Sequence, residues 1–180
     1  SLKKSPLSTS SVKRSMDSVN SVFNLANQEQ SLGLDNPFAS LRYRKQEPKE
    51  RPAIPVEHIA QIQRLCQKFD DDMRWLIALI SDTGLRLGEA AGLERSHVDL
   101  SPDAPHLIIE ETDNRRLKTK TSKRRVPLVG VALWAARKAV EASLQNNTSF
   151  LFPRYNKQAS TNSNSASNGL NKWMKEHIPP

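Results

Sequence analysis

The run Met73-Arg74-Trp75-Leu76-Ile77-Ala78-Leu79-Ile80 is apolar on most sides of a helical turn. A helix of that kind persists only when other elements surround it, so the rest of the chain must wrap it. Asp71 and Asp72 open it, placing acids at the positive end of the helix dipole, and Gly84 ends it. Arg86 stands just past that glycine, within Asp82-Thr-Gly-Leu-Arg-Leu-Gly-Glu-Ala-Ala-Gly-Leu93. Apolar residues on both flanks hold this cation in place. A short helix is expected from Arg86 to Leu93, with Leu87, Ala90, Ala91 and Leu93 inside. Arg86 and Glu89, three residues apart, share a face of it.

Other elements follow from spacing. Val12, Met16, Val19, Phe23 and Ala26 recur at helical period after a cap at Ser8 or Thr9, and Gly33 is expected to stop that helix. Leu34 and Phe38, around Asn36-Pro37, are expected to pack back on it. Pro55 suits a helix start, and Ile59, Ile62, Leu65 and Phe69 form the next stripe. His106 to Glu110 reads as a strand, Asn114 as a turn and Lys123 to Leu128 as a returning strand. Val131 to Leu144 is a helix through Leu133, Trp134, Ala136, Val140 and Leu144. Phe150 to Pro153 is an apolar plug, Lys157 to Ser167 a Ser/Asn loop, and a last helix carries Leu170, Trp173 and Met174. Together these give an α+β chain, mainly helical, with a small antiparallel sheet. A basic linker at 42–53 divides it into segments 1–41 and 54–180.

The net charge of +8 points to a polyanionic partner, nucleic acid or an acidic membrane surface. Between Asp113 and Arg125 lie seven Lys or Arg and one acid. Such a run is either a solvated charged hairpin or a set of phosphate contacts, with arginine as bidentate donor and lysine as point charge. Lys118 and Lys120, two apart, point the same way if the segment is extended. Arg42, Arg44 and Lys45 sit in the linker, which reads equally as a tether or as a strap along a phosphate backbone. Cys66 is the single cysteine, which excludes a disulfide framework or a cysteine-based zinc site within the chain. It sits among Ile62, Leu65 and Phe69 and reads as a buried, inert thiol. No stretch of about 18 apolar residues and no leader-like run is present, so a cytoplasmic protein is expected. Trp75, Trp134 and Trp173 lie in helix stripes and read as core, and His97 as a surface or capping residue.

Four motifs in order carry a family resemblance. Thr83-Gly84-Leu85-Arg86-Leu87-Gly88-Glu89-Ala90, with Leu93, resembles the first arginine box of the tyrosine recombinase (phage integrase) family. Leu117-Lys118-Thr119-Lys120-Thr121-Ser122, before Val126-Pro127-Leu128, resembles the family's lysine hairpin. The helix from Thr9 followed by Asn36-Pro37 is similar to the last helix of its core-binding domain. Phe150-Leu151-Phe152-Pro153 resembles its F-L-F-P segment. The resemblance implies strand exchange of duplex DNA at attachment-site-like sequences, by a tetramer on DNA, through a phosphotyrosine link and without metal or cofactor. Arg86 then corresponds to the first arginine, bonding non-bridging phosphate oxygens. Lys120 corresponds to the general acid for the leaving 5′-oxygen, with Lys118 in reserve. Glu89 orients Arg86, and Arg115, Arg116, Lys118, Lys123, Arg124, Arg42, Arg44 and Lys45 contact DNA.

The sequence departs from the family in one respect. The second box, H-x-x-R, has no counterpart: three residues past His58, His97, His106 and His177 come Gln61, Leu100, Ile109 and Pro180. The two tyrosines, Tyr43 and Tyr155, do not follow such a box. The chain is therefore expected to be a fragment, from the end of the core-binding domain into a truncated catalytic domain, that binds DNA without cleaving it. Two alternatives stand beside this. One is a non-catalytic DNA-binding or regulatory protein on the same scaffold, and the other an unrelated basic helical domain.

Overall fold

The computed structural model describes residues 7–43, 53–112, 123–157 and 160–178. The chain falls into two compact units divided between Pro52 and Ala53.

The first unit is one helix and its return. Helix α1 spans Thr9–Glu29, and its N-cap Ser8 accepts the Ser11 N–H. The helix stops before Gly33. Ser31 takes the left-handed conformation (φ 49°), and Ser31 N–H and Leu32 N–H bond the carbonyls of Gln28 and Asn27. This is a Schellman closure in which serine occupies the position glycine usually holds. The return segment is clamped by asparagines. Asn27 brackets Leu34 through both its amide groups, and Asn36 donates to Asn20 (2.6 Å) and Asn24 (2.5 Å). Phe38 packs edge-on against Phe23 at 6.0 Å, as expected, whereas the Leu34 side chain stays 54% exposed. The apolar stripe of α1 buries no residue.

The second unit is built around α3, Asp72–Thr83, as its all-round apolarity requires. Asp71 caps α3 by accepting the Arg74 N–H, and Gly84 closes it at φ 63°. Leu76, Ile77, Ala78 and Leu79 are buried, packed chiefly against α5 (Gly130–Gln145) and α2 (Val56–Phe69). The buried face of α5 differs from the one its large residues suggest. Ala132, Ala135, Ala136, Ala139 and Ser143 face the core, while Leu144 is 59% exposed and Leu133, Trp134 and Val140 are half-buried. Small side chains let α5 approach α3 closely, and the large ones fill the flanks.

Helix α4 (Leu87–Ala91) follows α3 directly, and a 3-10 turn at Arg95–His97 leads into a three-stranded antiparallel sheet. Its strands are β1 (Val98–Asp99), β2 (His106–Ile109) and β3 (Arg124–Pro127), in that order. His97 is buried and its Nδ1 accepts the Glu94 N–H, so it is a capping residue but not a surface one. The plug is real: Leu151 and Phe152 are buried, and Leu151 N–H bonds the Leu93 carbonyl. The described residues of the expected Ser/Asn loop form regular structure. They hold β4 (Asn156–Lys157), β5 (Ser160–Thr161) and the start of α6 (Ser163–His177), capped by Asn162. Serine and asparagine suit caps and turns as well as loops, and here capping wins. Of the tryptophans, Trp173 is buried, and Trp75 and Trp134 are half-buried. The fold is α+β and mainly helical.

Candidate functional site

Arg86 is positioned from its backbone outward. Gly84 turns the chain out of α3, and Leu85 is buried to 3% exposure, pinning the residue before the arginine. Arg86 itself is the N-cap of α4, in extended conformation, and its carbonyl accepts the Ala90 N–H. Its side chain is 57% exposed.

Glu89 holds it. The carboxylate reaches back to accept the Arg86 N–H at Oε2 (3.1 Å), as the third residue of a helix does in a capping box. At Oε1 it accepts Arg86 Nη1 at 2.9 Å. The Glu89 side chain is 7% exposed. Burial works against its ionised form, but the Arg124 hydrogen bond and charge, the Arg86 N–H and the Arg86 guanidinium hydrogen bond outweigh it and hold the carboxyl below the ordinary glutamate range. A buried carboxylate is stable in this form only because cations and donors surround it.

The third member comes from the sheet. Arg124 opens β3, and its Nη2 donates to Glu89 Oε2 at 2.9 Å, with Nη1 at 3.5 Å from Oε1. Strand register explains the direction. Arg124 pairs with Ile109 and Val126 with Leu107, and both β2 partners are fully buried. Residues paired across an antiparallel ladder project to one side, so Arg124 sits on the core face of the sheet. Arg125, one residue on, is exposed on the other face. Alternation with Val126 is the signal in the sequence that marks Arg124 as inward-facing. Nothing in it links Arg124 to Glu89, 35 positions earlier.

The structure thus brings together Arg86, Glu89 and Arg124, all expected site residues. Lys123 pairs with Glu110 at 3.1 Å and is 72% exposed. Arg42 is exposed in the first unit. Arg44, Lys45, Arg115, Arg116, Lys118 and Lys120 lie outside the described residues. The geometry offers a half-exposed guanidinium with fixed direction, suited to a phosphate or carboxylate oxygen.

Cys66 and Tyr155 belong to the core instead. Burial pushes the Cys66 thiol up to about 12, and burial also raises the Tyr155 phenol, which is 3% exposed. Among the described residues no group of three or more His, Cys, Asp or Glu is placed to hold a metal ion. No helix of the described residues is long and apolar enough to cross a membrane.

Residues 55–178 match the family model described as the phage integrase family, which covers more than half of the chain. No curated protein and no solved structure matches the chain.

Proposed function

Because the chain belongs to the phage integrase family of site-specific recombinases, we propose that its second unit binds duplex DNA and that Arg86 grips a backbone phosphate. The observation that carries this is the buried carboxylate of Glu89, which fixes the direction of a guanidinium left more than half exposed. An arginine held that way can stabilise charge on the non-bridging phosphate oxygens as it grows, with little reorganisation. Glu89 acts as the positioning residue. It does not carry the reacting proton, because its carboxyl is held ionised by two guanidinium groups.

In the whole recombinase the reaction is a pair of transesterifications. A tyrosine oxygen attacks phosphorus, the O5′–P bond breaks, and the leaving oxygen takes a proton from a lysine; reversal with a new 5′-hydroxyl rejoins the strand. Lys120 is assigned that proton, with Lys118 as the reserve. The partner is duplex DNA at an attachment-site-like sequence, bound in the cytoplasm by a tetramer of the whole protein. Arg115, Arg116, Lys118, Lys123, Arg42, Arg44 and Lys45 supply further backbone contacts. The domain division at 1–41, 42–53 and 54–180 follows the same reading.

This chain is proposed to bind without cleaving. No histidine is followed three residues on by arginine, and the phenol of Tyr155 is packed in the core. The same observation supports the second reading, a non-catalytic DNA-binding or regulatory protein on this scaffold.

Binding of labelled duplex DNA, followed by anisotropy over a salt series, tests the proposal. Affinity should fall linearly with salt on logarithmic axes, and Arg86→Gln should reduce that slope by about 0.9, the loss of one phosphate contact. Affinity independent of salt, or an Arg86→Gln protein indistinguishable from wild type, would refute it. A nicked suicide substrate should yield no SDS-stable adduct, and an adduct would sink the non-cleaving assignment.

A further inference from the structure

We infer that Arg124 is a positioning residue of the Arg86 site, acting through the shared Glu89 carboxylate and not on a DNA phosphate. The inference rests on the reading of Arg86 as a phosphate ligand. Sequence charge alone places Arg124 with the DNA contacts, but strand register turns it to the core face, beside Ile109 and Val126. Its side chain is 36% exposed, against 57% for Arg86. Its Nη2 lies 2.9 Å from Glu89 Oε2, the same oxygen that accepts the Arg86 backbone N–H.

That sharing has a mechanical consequence. A glutamate tied only to α4 can rotate about its own side-chain bonds, and Arg86 Nη1 would rotate with it. Arg124 approaches Glu89 from a different element, so the carboxylate is fixed from two sides. Both oxygens are then committed, and the Arg86 guanidinium has one low-energy direction. Arg124 is also four residues beyond Lys120 and six beyond Lys118. The strand that continues from the lysine segment is thereby bolted to the helix that bears the arginine. Displacement of β3 along its own axis would pull Glu89, and with it Arg86. The arginine and strand β3 are in this sense joined by a single buried carboxylate.

A double-mutant cycle on duplex-DNA binding separates positioning from contact. Arg86→Gln, Arg124→Gln, Arg124→Lys and the double glutamine variant are compared over a salt series. Alone, Arg124→Gln should weaken binding severalfold. In the Arg86→Gln background it should change affinity by less than about twofold and leave the salt slope unaltered, since no Arg86 contact remains to misplace. Arg124→Lys, which retains a cation beside Glu89, should recover part of the loss. An equal loss from Arg124→Gln in both backgrounds, with a slope reduced by about 0.9 each time, would show a direct phosphate contact and overturn the inference.

A spectroscopic arm reads the positioning without DNA. Arg124→Gln should raise the Glu89 carboxyl titration, followed by 13C NMR, and move the Arg86 15Nε resonance. Unchanged Glu89 and Arg86 signals would overturn the inference. Should Arg86→Gln leave DNA binding unaffected, the phosphate-ligand reading fails while this arm still decides whether Arg124 positions Arg86. If Arg124→Gln does not fold, Arg124→Lys carries both arms: a smaller shift in the same direction supports the inference, and none overturns it.

Discussion

Replacing Glu89 by glutamine tests how much the buried carboxylate contributes to the fold. Glutamine has nearly the same shape and keeps one oxygen for the Arg86 N–H, at 3.1 Å in the native structure. It loses the charge behind the Arg86 Nη1 and Arg124 Nη2 bonds, each 2.9 Å. A hydrogen bond to a charged group is worth about 1.5–3 kcal/mol, and breaking a fully buried ion pair costs about 3–5 kcal/mol. The upper figures do not apply, because the Arg86 and Arg124 side chains are 57% and 36% exposed and can rehydrate. The expected cost is about 2 kcal/mol at neutral pH. All three tryptophans, Trp75, Trp134 and Trp173, lie beyond Pro52, so tryptophan fluorescence during urea unfolding reports the second unit alone. The pH dependence supplies the sharper check. The Glu89 carboxyl is depressed in the fold, so its contribution is complete above the ordinary glutamate pKa. It is lost as pH falls from there toward the depressed folded value. The gap between wild type and Glu89→Gln should therefore shrink on acidification. A gap under about 0.5 kcal/mol at pH 7, or one that stays constant into acid, would refute the reasoning.

Two further outcomes probe the scaffold. Gly130→Ala should destabilise by about 2 kcal/mol, against the usual gain from replacing a helix glycine, because φ is +51° and the new Cβ would lie 3.0 Å from Asp82 Oδ2, the acceptor for Ala132 N–H; a rise in urea midpoint would contradict this. Cys66, fully buried with its thiol pushed up to about 12, should react with a disulfide reagent at pH 8 only as fast as the protein opens. Rapid stoichiometric labelling of the native protein would show that the thiol is accessible.

The sequence by itself settled what depends on local chemistry. The all-round apolarity of 73–80 made α3 central, Gly84 marked its end, Asp71 and Asp72 marked its start, and of the two cap candidates Ser8 and Thr9 the structure uses Ser8. Each of these is decided within a few residues of the chain. The same holds for Arg86 and Glu89, whose three-residue spacing brings them together on any helical turn. Ambiguity entered where one composition serves two structures. The Ser/Asn run after 157 holds a short strand and a capped helix, and α1 closed on Ser31 two residues before the glycine. The alanine face of α5 was hidden because alanine carries little hydrophobic signal, yet it is what a close helix neighbour selects.

Only the tertiary structure decided the partner of Glu89. Arg124 and Arg125 are chemically identical neighbours, and alternation with Val126 marks Arg124 as the inward-facing one without naming what it meets there. The pairing of β3 with β2 put Arg124 on the buried side with Ile109, and the placement of that sheet against α4 brought its guanidinium to the carboxylate. Such a meeting depends on strand register and on the packing of elements 35 positions apart. No local pattern encodes either, so the pairing of Arg86 with Glu89 was legible from the sequence, and the grip of Arg124 on that carboxylate was not.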